Sequence, residues 1–227
     1  MPFPTILALD TSAAHCAAAV LAQDAMQQSA TEAMAKGQAE RILVLCEEIL
    51  ARSGLGYDDL TAIGVGIGPG NFTGIRISVS AARGLALGLG IPAIPVSSFE
   101  MLRDPFAVEA NAAELVIVEA PRGAAYAQPF RYGHPTDKPE IIDPMSPPEH
   151  LCRADLKVTG HLAEKVACAL GAIANPTTSA EDPAARIARI AAWKLAQGHD
   201  ITQRPAPLYV RAPDAAPARD KPPVILA

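Results

Sequence analysis

The stretch best suited to hold a ligand runs AIGVGIGPGNFTGIR from Ala62 to Arg76, with glycines at 64, 66, 68, 70 and 74. Short apolar alternation gives way there to a helical run across Gly68-Pro69-Gly70-Asn71. The spacing predicts a buried strand over Ala62 to Ile67 and a helix opening near Thr73. Amides at such a turn, with Thr73 as N-cap, face the positive end of a helix dipole and suit an anion. Two named phosphate binders are excluded. The dinucleotide fingerprint needs a third glycine where windows from Gly64 and Gly66 place Pro69 and Asn71, and a P-loop needs a lysine that is absent. A tight strand-to-helix connection without a ligand fits the same residues. The histidines, His15, His134, His150, His161 and His199, show no ligand spacing and read as surface or loop residues. Cys16, Cys46, Cys152 and Cys168 form no C-x-x-C pair and read as reduced thiols packed like small hydrophobes.

The elements that position this turn are legible around it. From Ile75 to Leu89 nearly every side chain is apolar or small, and Arg76 and Arg83, seven apart, share one face. Ser80, Gly84 and Gly88 form a small-residue ridge that admits a second helix at close range; burial within one domain is the other reading. An earlier helix over Gln38 to Arg52 carries one stripe of Ile42, Leu45, Cys46 and Ile49 and another of Ala39, Leu43 and Leu50, and stops at Ser53-Gly54. Two stripes imply two covered faces. Strands over Thr5 to Leu9, His15 to Leu21 and Gln27 to Glu32 make an antiparallel meander before it, and Ile91 to Val96, with Pro92 and Pro95, reads as an edge strand after it. Three strands, helix, strand, helix, strand is the pattern of an α/β, ribonuclease-H-like lobe whose strand ends gather at a crevice.

A second, smaller lobe follows, with a short helix through Phe99 and Leu102, strands over Glu114 to Ala120, Ala124 to Phe130 and Leu156 to Thr159, and a helix over Ala184 to Gln197. Seven prolines between Pro121 and Pro148, and six more within 205–223, predict extended chain. The expected division is 1–100 for the first lobe, 101–204 for the second, and 205–227 as a proline-rich segment returning to the first. With 227 residues, half of them apolar, the chain can bury a real core. A net charge of -5 disfavours tight autonomous binding to tRNA or DNA while leaving room for a local patch. The first basic residue is Lys36 and Asp10 interrupts the early apolar run, so no secretory signal fits, and no apolar run reaches a membrane span. A cytoplasmic protein is expected.

The segments ILALDTS, GPGNFTGIR, PVSSFEML, EAPRGAAYA and PLYVR, in that order between Ile6 and Arg211, resemble the bacterial TsaB family, also called YeaZ. The resemblance implies an actin-like ATPase superfamily (ASKHA) fold of two ribonuclease-H-like lobes, the second reduced. It also implies a place in the machinery that installs threonylcarbamoyl on N6 of adenosine 37 in tRNA. In that family the subunit is a non-catalytic partner that dimerises with the catalytic paralogue TsaD, with TsaE in the larger complex and tRNA reached through the complex; a homodimer of the subunit alone is left open.

The paralogue's H-x-x-x-H metal pair would fall here on Ser98 and Leu102, which cannot bind a metal, so a metallopeptidase is excluded. No catalytic residue, metal or resident cofactor is expected. The resemblance leaves one nucleotide reading, ATP or ADP with magnesium at Asp10, Thr11, Ser12, Gly68, Gly70 and Asn71, and with it an autonomous actin-like phosphotransferase or ATPase as the alternative function. Asp10 reads equally as part of a capped hairpin turn. The implied partner surface lies on the two helices, at Ala39, Ile42, Leu43 and Cys46 on the first and Arg76, Ile77, Ser80, Ala81 and Gly84 on the second. Relatives often carry His where this chain has Gln38, which removes any titrating or metal role there.

Overall fold

Strand β1 (Ile6–Asp10) is buried along its whole length because it becomes the middle of the first sheet. It pairs antiparallel with β2 (His15–Ala22) and parallel with β4 (Ala62–Gly66), so that Ile6 faces Leu21 on one side and Ala62 on the other. Strand β3 (Ala25–Ala33) flanks β2 and β5 (Ala93–Val96) flanks β4, giving the order β3-β2-β1-β4-β5. β5 stands at the edge, where Pro95 costs no ladder bond. The computed structural model describes residues 3–103, 113–175, 182–199 and 203–211.

Alternation along the strands sorts the core into two faces. Leu7, Leu9, Cys16, Val20, Ile63 and Val65 meet α1 (Gln38–Arg52) and α2 (Phe72–Leu89). Ile6, Ala8, Leu21, Ala62, Ile94 and Val96 meet α5 (Pro183–Ala196) through Ile187, Ala188, Ile190 and Ala191. Covering on both faces is why these strands read as unbroken apolar runs. Helix α2 starts one residue earlier than expected. Asn71, not Thr73, is its N-cap, its Oδ1 accepting from the Gly74 amide at 2.9 Å while Thr73 already lies inside the helix.

The short helix α3 (Ser98–Leu102) leads to a second sheet of β6 (Ala113–Glu119), β7 (Ala125–Arg131), β8 (His134–Pro135), β9 (Glu140–Ile142), β10 (Leu156–Gly160) and β11 (Ile173–Asn175). Its order is β11-β10-β6-β7-β8, with β9 pairing β7. One helix, α4 (Ala163–Leu170), covers one face through Val166, Ala167 and Leu170. Among the described residues the second lobe is therefore reduced in helices and not in strands. The other face turns to the first lobe, where Val116 and Phe130 pack with Phe99, Leu208 and Val210. Arg103, 5% exposed, fastens this junction: it pairs with Glu114 at 2.7 Å and donates to the Gly133 carbonyl, while Arg186 donates to its own carbonyl.

The expected boundary at 204 is corrected by α5. That helix belongs to the first lobe, because its apolar stripe, with Met101 of α3 beside it, covers the Ile6, Ala8 and Ile94 face. The segment 203–211 does run back along the first lobe, Leu208 donating its amide to the Ile67 carbonyl at 2.8 Å. Residues 212–227, and the parts of the second division at 104–112, 176–181 and 200–202, lie outside the described residues. None of the described helices is long and apolar enough to cross a membrane.

Candidate functional site

The residues expected to hold a nucleotide are brought together, but as a closed joint. Asp10, fully buried at the end of β1, accepts from the Ser12 hydroxyl at 2.9 Å and from the Ser12 amide at 3.2 Å, and His15 Nε2 stands 2.7 Å from its Oδ2. Both carboxylate oxygens are thus engaged by the hairpin itself. Across the joint, Asn71 donates its amide to the Ser12 carbonyl at 2.6 Å and Thr11 Oγ1 donates to the Gly74 carbonyl at 2.6 Å. A Cβ at Gly70 would strike the Ser12 carbonyl oxygen, and one at Gly74 would strike that of Thr11. The glycines serve close approach of two backbones. The Asn71 and Gly74 amides already have protein acceptors, and the two turns meet in direct contact.

His15 corrects the surface reading of the histidines, since its side chain is only 17% exposed. Gln38 stands beside it. Its amide nitrogen reaches the carbonyls of Ala13 and His15 at 2.8 Å and that of Met34 at 3.3 Å, tying the β1–β2 turn to the start of α1. A primary amide presents two N–H donors from one nitrogen, which a neutral imidazole does not. The sequence flagged Gln38 only as a departure from relatives; what it holds became visible with the turn folded against it. Ser98 donates to the Pro69 carbonyl at 2.8 Å and so also serves the joint. Among the described residues no group of three or more His, Cys, Asp or Glu is placed to hold a metal.

The second candidate surface is the outward side of α1 and α2, which lie next to each other on the sheet. The structure divides the residues expected there. Ile42 and Cys46 are 1% and 0% exposed and belong to the core, which removes them from any contact surface. Ala39 and Leu43 do face out, and Val44, which the stripe analysis missed, joins them; Leu43 and Val44 are 42% and 46% exposed. On α2, Ser80 and Gly84 are exposed, and nothing lies within 4 Å of a Cβ placed on Gly84 or Gly88. Ile77 and Ala81 are half-buried against the core beneath the two helices. Arg76 turns to the opposite flank, where Nε donates to the Tyr209 hydroxyl at 2.7 Å and the guanidinium lies 3.8 Å from the Phe72 ring centroid.

Burial explains the thiols of the first lobe. Cys16 is pushed up to about 11 and Cys46 to about 12, in each case first by burial among apolar neighbours. Cys152 and Cys168 are exposed.

The family model described as TsaD, tRNA N6-adenosine threonylcarbamoyltransferase, matches residues 20–177. The chain is 40% identical over 113 residues to the tRNA threonylcarbamoyladenosine biosynthesis protein TsaB of Haemophilus influenzae, covering 50% of this chain and 47% of that one. It is 33% identical over 148 residues to TsaB of Escherichia coli, covering 60% and 64%. The match thus spans less than two thirds of either relative. Among solved structures, a Pseudomonas aeruginosa protein described as similar to peptidase YEAZ superposes with a TM-score of 0.70 at 24% identity, covering 92% of this chain and 100% of that one. YeaZ of the same organism gives 0.67 at 24% identity, covering 86% and 93%. These two agree with the two-lobed fold.

Proposed function

The chain belongs to the TsaB (YeaZ) family, within the wider family that takes in tRNA N6-adenosine threonylcarbamoyltransferase, and from that premise we propose that it is a non-catalytic subunit of tRNA threonylcarbamoyladenosine biosynthesis. It docks a TsaD transferase through the outward side of α1 and α2 and activates it, with TsaE joining the larger assembly and tRNA reached through the complex.

The observation that carries this reading is the exposed outward side of those helices. Ala39, Leu43 and Val44 are exposed on α1, and Ser80 and Gly84 are exposed on the neighbouring α2, where nothing lies within 4 Å of a Cβ placed on Gly84. Small residues at a helix surface let another backbone approach closely, and a standard interface needs about 800 Å² per partner, which two helices of this length supply. The closed joint at Asp10 and Gly74 supports the same reading, because it leaves the alternative phosphotransferase no open cradle at those residues.

The test is the mass of the purified chain by light scattering, alone and mixed with its TsaD counterpart. A one-to-one complex that replaces any self-association is expected. Absence of a complex across physiological salt would overturn the reading, as would magnesium-dependent ATP turnover sustained by the pure chain.

A further inference from the structure

The flank of α2 that faces away from α1 has a chemistry of its own. Between Thr61 and Phe99, and again between Gln203 and Arg211, the chain holds four arginines and no Asp, Glu or Lys, although the whole protein carries a net charge of -5. The fold brings these two segments together. Phe72, Arg76, Arg83 and Leu87 recur at intervals of four, seven and four and so share one helix face. Tyr209 packs on Phe72 with ring centroids 5.1 Å apart, and Arg83, Leu87, Arg204 and Pro205 line one groove of about 410 Å³. Among the described residues no carboxylate lies within ion-pair distance of Arg76, Arg83 or Arg204.

The aromatic rings are open. Phe72 and Tyr209 are 39% and 40% exposed, and Arg76 is held over Phe72 by its bond to the Tyr209 hydroxyl. Aromatic rings and guanidinium planes are the surfaces on which unstacked bases lie, while arginines alongside meet the phosphates. Arg76 and Arg83 are two helical turns apart, about 10 Å along the axis. We propose that this flank binds single-stranded nucleic acid, an unstacked base resting on the Phe72, Arg76 and Tyr209 cluster and the neighbouring phosphates meeting Arg83 and Arg204. That the nucleic acid is RNA rests on the function proposed above. Segregation of the arginines explains how an acidic protein carries such a site, since the local field and not the net charge steers a polyanion.

The experiment is fluorescence anisotropy of the full chain with a labelled RNA stem–loop, a fully paired RNA duplex and a single-stranded DNA of matching loop sequence. The loop RNA binds more tightly than the duplex. Phe72→Ala and Tyr209→Ala each weaken loop binding by about tenfold, as loss of one stacked base predicts, and Phe72→Trp retains it. Arg83→Gln lowers the slope of log affinity against log salt by about one. Arg131→Gln, an equal charge change on the second lobe, leaves binding unaltered. Thermal melts of every variant separate loss of binding from loss of fold. Equal affinity for loop and duplex, binding indifferent to Phe72 and Tyr209, or no binding at low salt overturns the proposal. Tighter binding of the DNA than of the RNA overturns the choice of ligand. Light scattering of the same variants with the TsaD counterpart reports separately on the partner-subunit reading, so the two fail independently.

Discussion

Gly74 and Thr11 meet backbone to backbone: the Thr11 hydroxyl donates to the Gly74 carbonyl, and the Thr11 carbonyl occupies the space a Cβ on Gly74 would need. A glycine-rich turn beside a strand-end aspartate thus works here as a joint between β1 and α2. Gly74→Ala is expected to destabilise the protein by about 2–3 kcal/mol, as overpacking against a rigid backbone does. Urea denaturation of the purified variant measures it, and an unchanged midpoint would show that the joint is loose.

Asp10→Ala separates structure from catalysis. The substitution leaves the Ser12 hydroxyl and amide without their acceptor, so a loss of about 1–3 kcal/mol in stability is expected. No ATP turnover should be there to lose. Steady-state assays with magnesium and ATP, run beside the melts, check both halves.

Gln38 holds three carbonyls from two segments. Gln38→Ala should cost about 1–3 kcal/mol for buried acceptors left without donors, and Gln38→His should recover part of it through one ring N–H. The order of the three melting temperatures decides the matter.

On the outward side, Leu43→Glu and Gly84→Leu should each block assembly with the TsaD counterpart while the monomer keeps its melting temperature. Leu43 is exposed and a Cβ on Gly84 meets nothing within 4 Å in the monomer. Normal complex formation by both variants in light scattering would put the contact elsewhere.

Acid should act on one ion-pair set. Arg41 bonds Glu32 on β3 and Glu48 on α1 at 2.6 and 2.7 Å, and its hydrogen bonds hold both carboxyls below their usual 4.5. A lowered folded-state value stabilises above the unfolded one and is lost as pH falls through it. The melting-temperature advantage of the native chain over Arg41→Met should therefore be full near neutrality and shrink as pH drops below 4.5.

Much of the first lobe was legible because its strands and helices announce themselves by period. Helix α1 falls on Gln38–Arg52 as the apolar stripe indicates, and the strand and helix around the glycine turn lie within two residues of expectation. Helix α4 escaped notice because its two turns are too short for periodicity to register. Assignment of α5 to the second lobe followed chain order, and only tertiary packing shows which sheet its stripe covers. At the candidate surfaces, residue type alone could not say whether Cys46 or Leu43 points inward; two stripes on one helix are resolved by the position of the sheet. Phe72 and Arg76 lie far from Tyr209 in sequence, and nothing short of the folded chain brings the last to the first two.

The late docking of α5 bears on how the protein is made. As the nascent chain leaves the ribosome, strands β1, β2, β4 and β5 can pair, yet Ile6, Ala8 and Ile94 stay bare until a helix near the far end of the chain has been synthesised. For that interval the growing polypeptide presents a sticky sheet face, the kind of surface that draws chaperones and self-association. A nick between α4 and α5 in the finished protein would be tolerated for as long as the released piece stays bound, which turns the two-lobed molecule into a complementation pair whose halves reassemble through the α5 stripe and the 203–211 segment.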